Sequence, residues 1–331
     1  MEKQILVTGG AGYIGTHIAK NLLKEGFKVL ILDNLSTGFI EPIKILQKKY
    51  PDCEFVKGDL ADKDLLKKIF SENDIETVIH LAAKINVRES IQQPEAYTSE
   101  NYLNGINLVE AMVARGVNRL VFSSTCAVYG EPKYIPIDEQ HPTKPINPYS
   151  QTKLDFENYL KKVRNLQFLT FRFFNVGGSD PEGLIGKAHL INPDLTENIM
   201  KVALNQEDFL EIFGNNYDTK DGTAVRDYIH VEDISQAHIT GLKNLEKLDG
   251  EIINLGSEKG FSVKEVIITA ENVVGKTIPI KIGQRKEGDV ACSIASAQKA
   301  KDMFGWQPQY SNLETIIETD WAWRKKHPDG Y

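Results

Sequence analysis

A glycine-rich turn near the start of the chain places the strongest constraint on its fold. The apolar run Gln4–Thr8 has the composition of a buried strand, and Tyr13 opens a segment with helical periodicity. Between them the sequence Gly-Gly-Ala-Gly occupies positions 9–12, and Gly15 follows. Glycines in this arrangement let the backbone approach a pyrophosphate at the N-terminus of a helix. The strand–turn–helix order therefore predicts a dinucleotide site, with a purely structural glycine turn as the alternative.

An acidic residue at the end of the second strand-like run strengthens this prediction. Lys28–Asp33 ends in a carboxylate at the spacing that favours hydrogen bonds with ribose hydroxyls. A carboxylate there would repel the 2′-phosphate of NADP, so we expect NAD. Asp59 and Leu60, where the third run ends, are candidates for contact with the adenine. Asp59 as an N-cap of the next helix is equally consistent with the sequence.

Short apolar runs alternate with helix-length segments through the first half of the chain. This alternation predicts a parallel sheet, and hence an α/β fold: a Rossmann-type doubly wound sheet with a smaller α/β substrate-binding lobe. The predicted strands are Gln4–Thr8, Lys28–Asp33, Cys53–Asp59, Glu76–Ala83, Arg119–Thr125 and Phe168–Asn175.

The alternation is lost near Asn175, which suggests a division into two domains. We expect an NAD-binding domain at 1–175 and a mainly substrate-binding lobe at 176–331. Parts of 231–256 are expected to return to the first domain, because they contain a predicted helix and a predicted strand, Glu251–Leu255. Asn312–Lys326 has the spacing of a packed terminal helix.

Composition excludes several other classes of function. The formal net charge of the 331 residues is −7, which gives little electrostatic support for nucleic-acid or membrane-surface binding. No apolar run approaches the roughly 18 residues that a membrane helix needs. The three cysteines have neither disulfide-framework nor zinc-site spacing, so we expect no metal and a cytoplasmic location.

A Tyr-x-x-x-Lys pair at Tyr149 and Lys153 is the main candidate for catalysis. Residues four apart share one face of a helix, and the preceding Asn147-Pro148 is a suitable helix start. The same spacing recurs at Tyr129 and Lys133, but an intervening glycine and proline oppose a regular helix there. A Lys ammonium and the positive nicotinamide ring would favour the tyrosine phenolate, which could then act as a general base.

Hydroxyl side chains at the end of the predicted strand Arg119–Thr125 are candidates for substrate contact. Open α/β folds place ligands beyond the carboxyl ends of their strands. A hydroxyl of Ser123, Ser124 or Thr125 could therefore hydrogen-bond a substrate oxygen and pass its proton to Tyr149. The alternative is that these hydroxyls only satisfy local backbone groups.

Together these residues resemble the extended short-chain dehydrogenase/reductase family and, within it, the UDP-glucose 4-epimerase group. The resemblance spans essentially the whole chain. Its specific segments are Gly-Tyr-Ile-Gly at 12–15, Leu-Asp-Asn-Leu-Ser at 32–36, His-Leu-Ala-Ala at 80–83, Phe-Asn-Val-Gly at 174–177, 212–223 and Val-Arg-Asp-Tyr-Ile-His-Val at 225–231.

The resemblance implies an isomerase of galactose metabolism that inverts C4 of a UDP-hexose through a transient 4-keto sugar. The implied catalytic residues are Tyr149, Lys153 and Thr125. The implied NAD contacts are Gly9, Gly12, Tyr13, Ile14, Gly15, Asp33, Asn34, Ser36, Asp59, Leu60, Leu81, Ala82, Ala83, Asn101, Ser123, Tyr149 and Lys153. The implied substrate contacts are Thr125, Tyr149, Asn175, Asn192, Phe213, Arg226, Tyr228, Arg285, Lys286, Asp289 and Ser293.

The chain departs from the family pattern at several of these positions. Lys84 lies one place early relative to the family lysine and receives no role. Lys286 replaces an arginine, and a lysine cannot grip a diphosphate bidentately, so Arg285 is expected to compensate. Ser293 is small enough to leave room for an N-acetyl group, so UDP-N-acetylhexosamines are alternative substrates.

Two further functions stay open. A 4,6-dehydratase would need a carboxylate pair after Thr125, but Cys126 and Ala127 follow it. A non-catalytic NAD-binding protein would have lost Tyr149 or Lys153. The resemblance also implies a homodimer formed through helices that include the Tyr149 segment.

Overall fold

The computed structural model describes residues 3–188, 194–285 and 289–331. The chain divides into two compact units. The first contains 1–130, 142–172 and 235–253, and the second contains 131–141, 173–234 and 254–331. The division expected from the sequence places 131–141 in the first domain, whereas the structure places this segment in the second unit.

A seven-stranded sheet forms the centre of the first unit. Its spatial order is β10-β6-β5-β4-β1-β2-β3, and the pairs β1–β2, β1–β4, β2–β3 and β4–β5 are parallel. The strands are β1 (Gln4–Thr8), β2 (Lys28–Asp33), β3 (Cys53–Lys57), β4 (Ile75–His80), β5 (Arg119–Thr125), β6 (Gln167–Phe173) and β10 (Glu251–Leu255). The α/β Rossmann-type fold predicted from the sequence is confirmed.

Helices follow the strands in the way that parallel crossovers require. Their buried faces pack on the sheet through a continuous apolar core that includes Leu6, Val78, Leu120, Phe122 and Phe156. The helical elements are α1 (Tyr13–Lys24), α2 (Ile40–Lys49), α3 (Lys63–Glu72), α4 (Val87–Gln92), α5 (Pro94–Tyr97), a π-helical turn (Thr98–Leu103), α6 (Asn104–Val113), a 3₁₀ turn (Cys126–Tyr129), α7 (Pro148–Leu160) and α9 (Val231–Lys243).

The second unit is built from short strands and four helices in its described part. One sheet has the order β11-β9-β13, with β7 also paired to β9, and β8 pairs with β12. Its elements are β7 (Asn175–Gly177), α8 (Leu195–Ala203), β8 (Leu210–Phe213), β9 (Val225–His230), β11 (Gly260–Ser262), α10 (Val263–Val274), β12 (Ile280–Gly283), β13 (Cys292–Ser293), α11 (Gln298–Phe304) and α12 (Leu313–Lys326). A separate core, centred on Ile199, Val266 and Ile316, holds it together.

Three predicted strands are longer than the observed ones. The prediction for β3 runs past Lys57, that for β4 runs past His80, and that for β6 runs past Phe173. In the last case the chain leaves the large sheet and forms β7 beside β9 instead. Among the described residues, no helix combines the length and the apolarity needed to cross a membrane.

Candidate functional site

The glycine turn between β1 and α1 adopts a conformation that only small residues permit. Gly9 has φ +72°, and a Cβ there would lie 2.6 Å from the Ala82 nitrogen. A Cβ on Gly15 would overlap the Gly9 carbonyl oxygen. No side chain caps the N-terminus of α1 and its first turn has no acidic residue, so this end of the helix suits an anion.

Asp33 connects the end of β2 to the glycine turn. Its Oδ2 accepts a hydrogen bond from the Ala11 amide at 3.0 Å, and its Oδ1 accepts one from the Leu35 amide at 2.8 Å. Burial raises the pKa of Asp33, and these two backbone bonds oppose that shift. The carboxylate therefore stays beside the turn as an acceptor, where a ribose would require one.

The residues on the adenine side of the predicted site contact each other. Asn34 Nδ2 donates to Asp59 Oδ2 at 2.7 Å, and the Ser36 amide donates to Asn34 Oδ1 at 2.9 Å. Leu60 is buried beside them. Asp59 does not cap the next helix, because Asp62 accepts the amide bonds at the start of α3. The N-cap interpretation of Asp59 is therefore wrong.

The segment after β4 lies against the glycine turn. Leu81 donates its amide to the Thr8 carbonyl at 3.1 Å, and Leu81, Ala82 and Ala83 are half-buried. Asn101 accepts from the Lys84 amide at 2.7 Å and donates to the Lys84 carbonyl at 2.9 Å. Asn101 thus fixes this segment, and its contact with a cofactor stays a prediction. The cradle of small residues, the uncapped helix and Asp33 fit NAD.

Replacing Gly9 with Ala should disrupt this cradle. The new methyl group would collide with Ala82, so we expect NAD affinity to fall by at least about tenfold, equivalent to about 1.4 kcal/mol. Gly26→Ala is the matched control, because Gly26 has φ +84° but no atom within 4 Å of its Cβ position. It should lose about 1–2 kcal/mol of stability and bind NAD normally. Calorimetric NAD titration and thermal unfolding separate the effects, and equal NAD affinity in both variants would contradict this account of the turn.

The catalytic candidates meet where β5 ends and α7 begins. Asn147 caps α7 by accepting from the Ser150 amide at 2.9 Å, with Pro148 in the first turn. Thr125 lies near Tyr149, and its hydroxyl lowers the pKa of the tyrosine phenol. Lys153 is buried, and its Nζ donates to the Ser123 carbonyl at 3.0 Å. The structure thus brings together Tyr149, Lys153, Ser123 and Thr125, as the sequence predicts.

The electrostatics of this pair show what the protein's own side chains contribute to the phenolate that the sequence predicts with a bound cofactor. Burial raises the pKa of Tyr149 to about 12, although the Thr125 hydroxyl lowers it. Burial lowers the pKa of Lys153 to about 8, opposed by the charge of Glu157. The protein's own groups do not ionise Tyr149 near neutral pH, so the phenolate depends on positive charge from a bound cofactor.

The second Tyr-x-x-x-Lys match has no catalytic geometry. Tyr129 ends the 3₁₀ turn, and Gly130 follows with φ +69°. Residues 130–133 are not helical, so Lys133 does not share a helical face with Tyr129. The Tyr129 ring instead packs 4.8 Å from the guanidinium of Arg172.

A buried ionic cluster behind the catalytic pair was missed by the sequence reasoning. Glu157 is fully buried on α7 and accepts hydrogen bonds from Arg172 and Ser124. The available signal was spacing, because Glu157 follows Lys153 by the same four residues that separate Lys153 from Tyr149.

In the second unit, charged candidates for substrate binding converge. Arg226 Nη2 lies 3.9 Å from Asp289 Oδ1. The Arg285 guanidinium lies 4.1 Å above the ring of Tyr217, and its Nη2 donates to the Asp289 carbonyl at 3.2 Å. Two guanidinium groups around one acidic residue form a cationic surface suited to a diphosphate. Tyr217 is a residue of this surface that the sequence reasoning did not single out.

The remaining candidates of this unit occupy its strands. Asn175 is exposed on β7 and pairs with Tyr228 of β9. Ser293 is buried in β13, beside Arg226 in the strand register. Phe213 is half-buried at the end of β8. Asn192 and Lys286, both predicted substrate contacts, lie outside the described residues.

Comparisons with known proteins agree with this geometry. A family model described as GDP-mannose 4,6 dehydratase matches residues 6–319. A UDP-glucose 4-epimerase of Halalkalibacterium halodurans is 45% identical over 332 residues, covering 99% of this chain and 97% of the relative.

Two solved structures are similar over nearly the whole chain. The UDP-glucose 4-epimerase of Bifidobacterium longum, in complex with NAD+ and UDP, has a TM-score of 0.95 and 34% identity, covering 99% of this chain and all of the other. The UDP-Glc/GlcNAc 4-epimerase of Campylobacter jejuni has a TM-score of 0.85 and 37% identity, covering 98% and 99%. The chain therefore belongs to the extended short-chain dehydrogenase/reductase family, in the group of the UDP-glucose 4-epimerases.

Proposed function

We propose that the protein interconverts UDP-glucose and UDP-galactose by inverting C4 of the hexose, with NAD as a resident cofactor. The observation that carries the proposal is the placement of Tyr149 and Lys153 on one face of α7, beside the Ser123 carbonyl and Thr125 at the end of β5. These residues lie in the first unit, which also contains the glycine turn and Asp33. The names of the relatives and the UDP bound to the Bifidobacterium longum structure support the same substrate class.

In this function Tyr149 holds and moves one proton. Its oxygen takes the proton from the C4 hydroxyl of the sugar and returns it after the other face of the 4-keto sugar has been presented. Thr125 orients the reacting oxygens through its hydroxyl, and the Lys153 ammonium stabilises the negative charge on Tyr149. When bound, NAD supplies the hydride acceptor and donor. The cationic surface of Arg226 and Arg285 holds the diphosphate.

The fit of Ser293 supports UDP-N-acetylhexosamines as second substrates. Its side chain is among the smallest available, and it lies beside Arg226 in the strand register. The Campylobacter jejuni relative is named for both sugars. Ser293→Tyr should therefore lower kcat/KM for UDP-GlcNAc more than for UDP-glucose, because added bulk excludes the acetyl group. Equal turnover losses for both sugars would contradict this assignment.

One assay tests the function directly. The purified protein is incubated separately with UDP-glucose, UDP-GlcNAc and UDP-xylose, without added NAD, and the C4 epimers are separated by chromatography. We expect the epimer of UDP-glucose to form, with no net change in nicotinamide absorbance. Failure with all three sugars would overturn the assignment.

We also infer a homodimer formed through the helical region that includes α7. Leu103 of the π-helical turn and Val113 of α6 are large apolar side chains, 48% and 41% exposed. Light scattering should give twice the chain mass, and Leu103→Glu should shift the population toward monomer. A monomeric parent protein would refute the dimer. We also infer a cytoplasmic location, because the three cysteines form no disulfide among the described residues, and cell fractionation tests it.

A further inference from the structure

The catalytic face of α7 carries a third ionisable side chain. Tyr149, Lys153 and Glu157 follow one another at intervals of four residues, so they lie along one side of the helix. Glu157 has no exposed surface. A carboxylate is rarely buried unless it is paired, so its position behind the catalytic pair needs a physical reason.

Two strands provide the partners of Glu157. Arg172 of β6 donates from Nε to Oε1 at 3.0 Å and from Nη2 to Oε2 at 2.5 Å. Ser124 of β5 donates its hydroxyl to Oε1 at 2.6 Å. The bidentate arginine pairs with the carboxylate and fixes its plane. Glu157 thus connects the middle of α7 to β5 and β6.

Ser124 stands between the two strand residues that contact the catalytic side chains. The carbonyl of Ser123 accepts from Lys153, and the hydroxyl of Thr125 lies near Tyr149 and lowers its pKa. The bond from Ser124 to Glu157 therefore sets the register between the strand end and the helix. A shift at this bond would move both catalytic contacts together.

Several groups from other elements surround Lys153. His80 of β4 is buried, and burial together with the Lys153 charge lowers the pKa of His80 to about 3, so it stays neutral. The centre of the Phe122 ring lies 4.9 Å from the Lys153 Nζ. Cys126 raises the pKa of Tyr149. Arg172 is paired with Glu157. Among these described neighbours, Glu157 is the group whose negative charge favours the Lys153 ammonium.

We propose that Glu157 is a positioning residue for the epimerase reaction, which holds α7 against β5 and thereby fixes Lys153 and Tyr149 at the end of that strand. The proposal rests on the proposed function, because the pair it supports is the pair that carries that function. Glu157 has no exposed surface and is not among the predicted substrate or cofactor contacts. Its effect is transmitted through Lys153 and through Ser124.

The test is the titration of Lys153 in the unliganded protein. Protein labelled with ¹³C-lysine is titrated by NMR, and the Lys153 signal is assigned by its loss in Lys153→Met. Glu157→Gln should lower the titration midpoint by about one pH unit, because the opposing negative charge is gone. Asp155→Asn is the matched control, since it removes an acidic charge from the same helix at a side chain that bonds Gln151. It should leave the midpoint unchanged.

A second variant keeps the test valid if the first one does not fold. Glu157→Gln leaves Arg172 buried without its partner, whereas Glu157→Gln combined with Arg172→Met removes both charges. The double variant should fold, as judged by thermal unfolding, and should also titrate below the parent. A parent-like midpoint in the folded variants would overturn the proposal and leave Glu157 with a purely structural role.

Activity is measured separately on the same proteins. Glu157→Gln should lower kcat with little change in KM for the UDP-sugar, since it contacts no substrate. The NMR titration requires no substrate, so a parent protein without epimerase activity would refute the proposed function alone. A parent-like kcat in the folded Glu157→Gln protein would refute the positioning role alone.

Discussion

Tyr149→Phe should lower kcat by about 10²–10⁴-fold, the usual contribution of a general acid–base group. The substitution removes one oxygen and keeps the ring, so the packing of α7 should persist. NAD binding should be retained, because the cradle and Asp33 are untouched. Steady-state epimerisation of UDP-glucose, calorimetric NAD titration and thermal unfolding measure the three quantities.

Tyr159→Phe is the control for this substitution. Tyr159 lies on the same helix, half-buried, with its ring 6.5 Å from that of Tyr102. Its variant should have nearly the parent activity. If Tyr149→Phe kept more than about a tenth of the parent kcat, a loss below about 1.4 kcal/mol, Tyr149 would not be the base.

Lys153→Met should reduce both catalysis and cofactor binding. Loss of one charged hydrogen bond predicts a decrease in NAD affinity of about 10–100-fold. In the parent, burial lowers the pKa of Lys153 to about 8. The protonated form is the one that binds the cofactor, so NAD affinity is full below that pH and declines as the pH rises through it. The variant should show weaker binding with no such pH dependence.

The same variant should not lose stability. A buried lysine with a lowered pKa destabilises the folded state at neutral pH, because its charge has been removed from water. Methionine removes that cost, which offsets the lost contact with the Ser123 carbonyl. Lys161→Met, at the exposed end of the same helix, is the control and should bind NAD as the parent does. An unchanged pH profile of NAD binding in Lys153→Met would exclude the lysine as its cause.

Several elements could be predicted from the sequence residue by residue. The bounds of β1, β2, β5 and β10 agree with the predicted ones, because each is a short apolar run that ends at a turn or polar residue. The helical start at Asn147-Pro148 was predictable from capping chemistry. So was the proximity of Thr125 to Tyr149, since the carboxyl ends of parallel strands gather at one edge.

Other features depended on tertiary contacts that no local pattern contains. Leu81–Ala83 is apolar, like a strand, but it leaves the sheet to pack against the glycine turn. The pairing of Glu157 with Arg172 joins a helix to a strand across fifteen residues. The raised pKa of Tyr149 comes from burial, which the Tyr-x-x-x-Lys spacing does not reveal.

The path of the chain limits which fragments of the protein can fold on their own. The first unit is assembled from three separate stretches, so its catalytic helix is joined at both ends, through 131–141 and through 173–234, to the second unit. A fragment ending at residue 175 would lack β10, the edge strand of the large sheet, and the whole of α9. Such a fragment would leave one edge of β6 without its neighbouring strand, so we expect it not to fold as an independent cofactor-binding module. We therefore expect a cut at this point to abolish dinucleotide binding and sugar-nucleotide binding together.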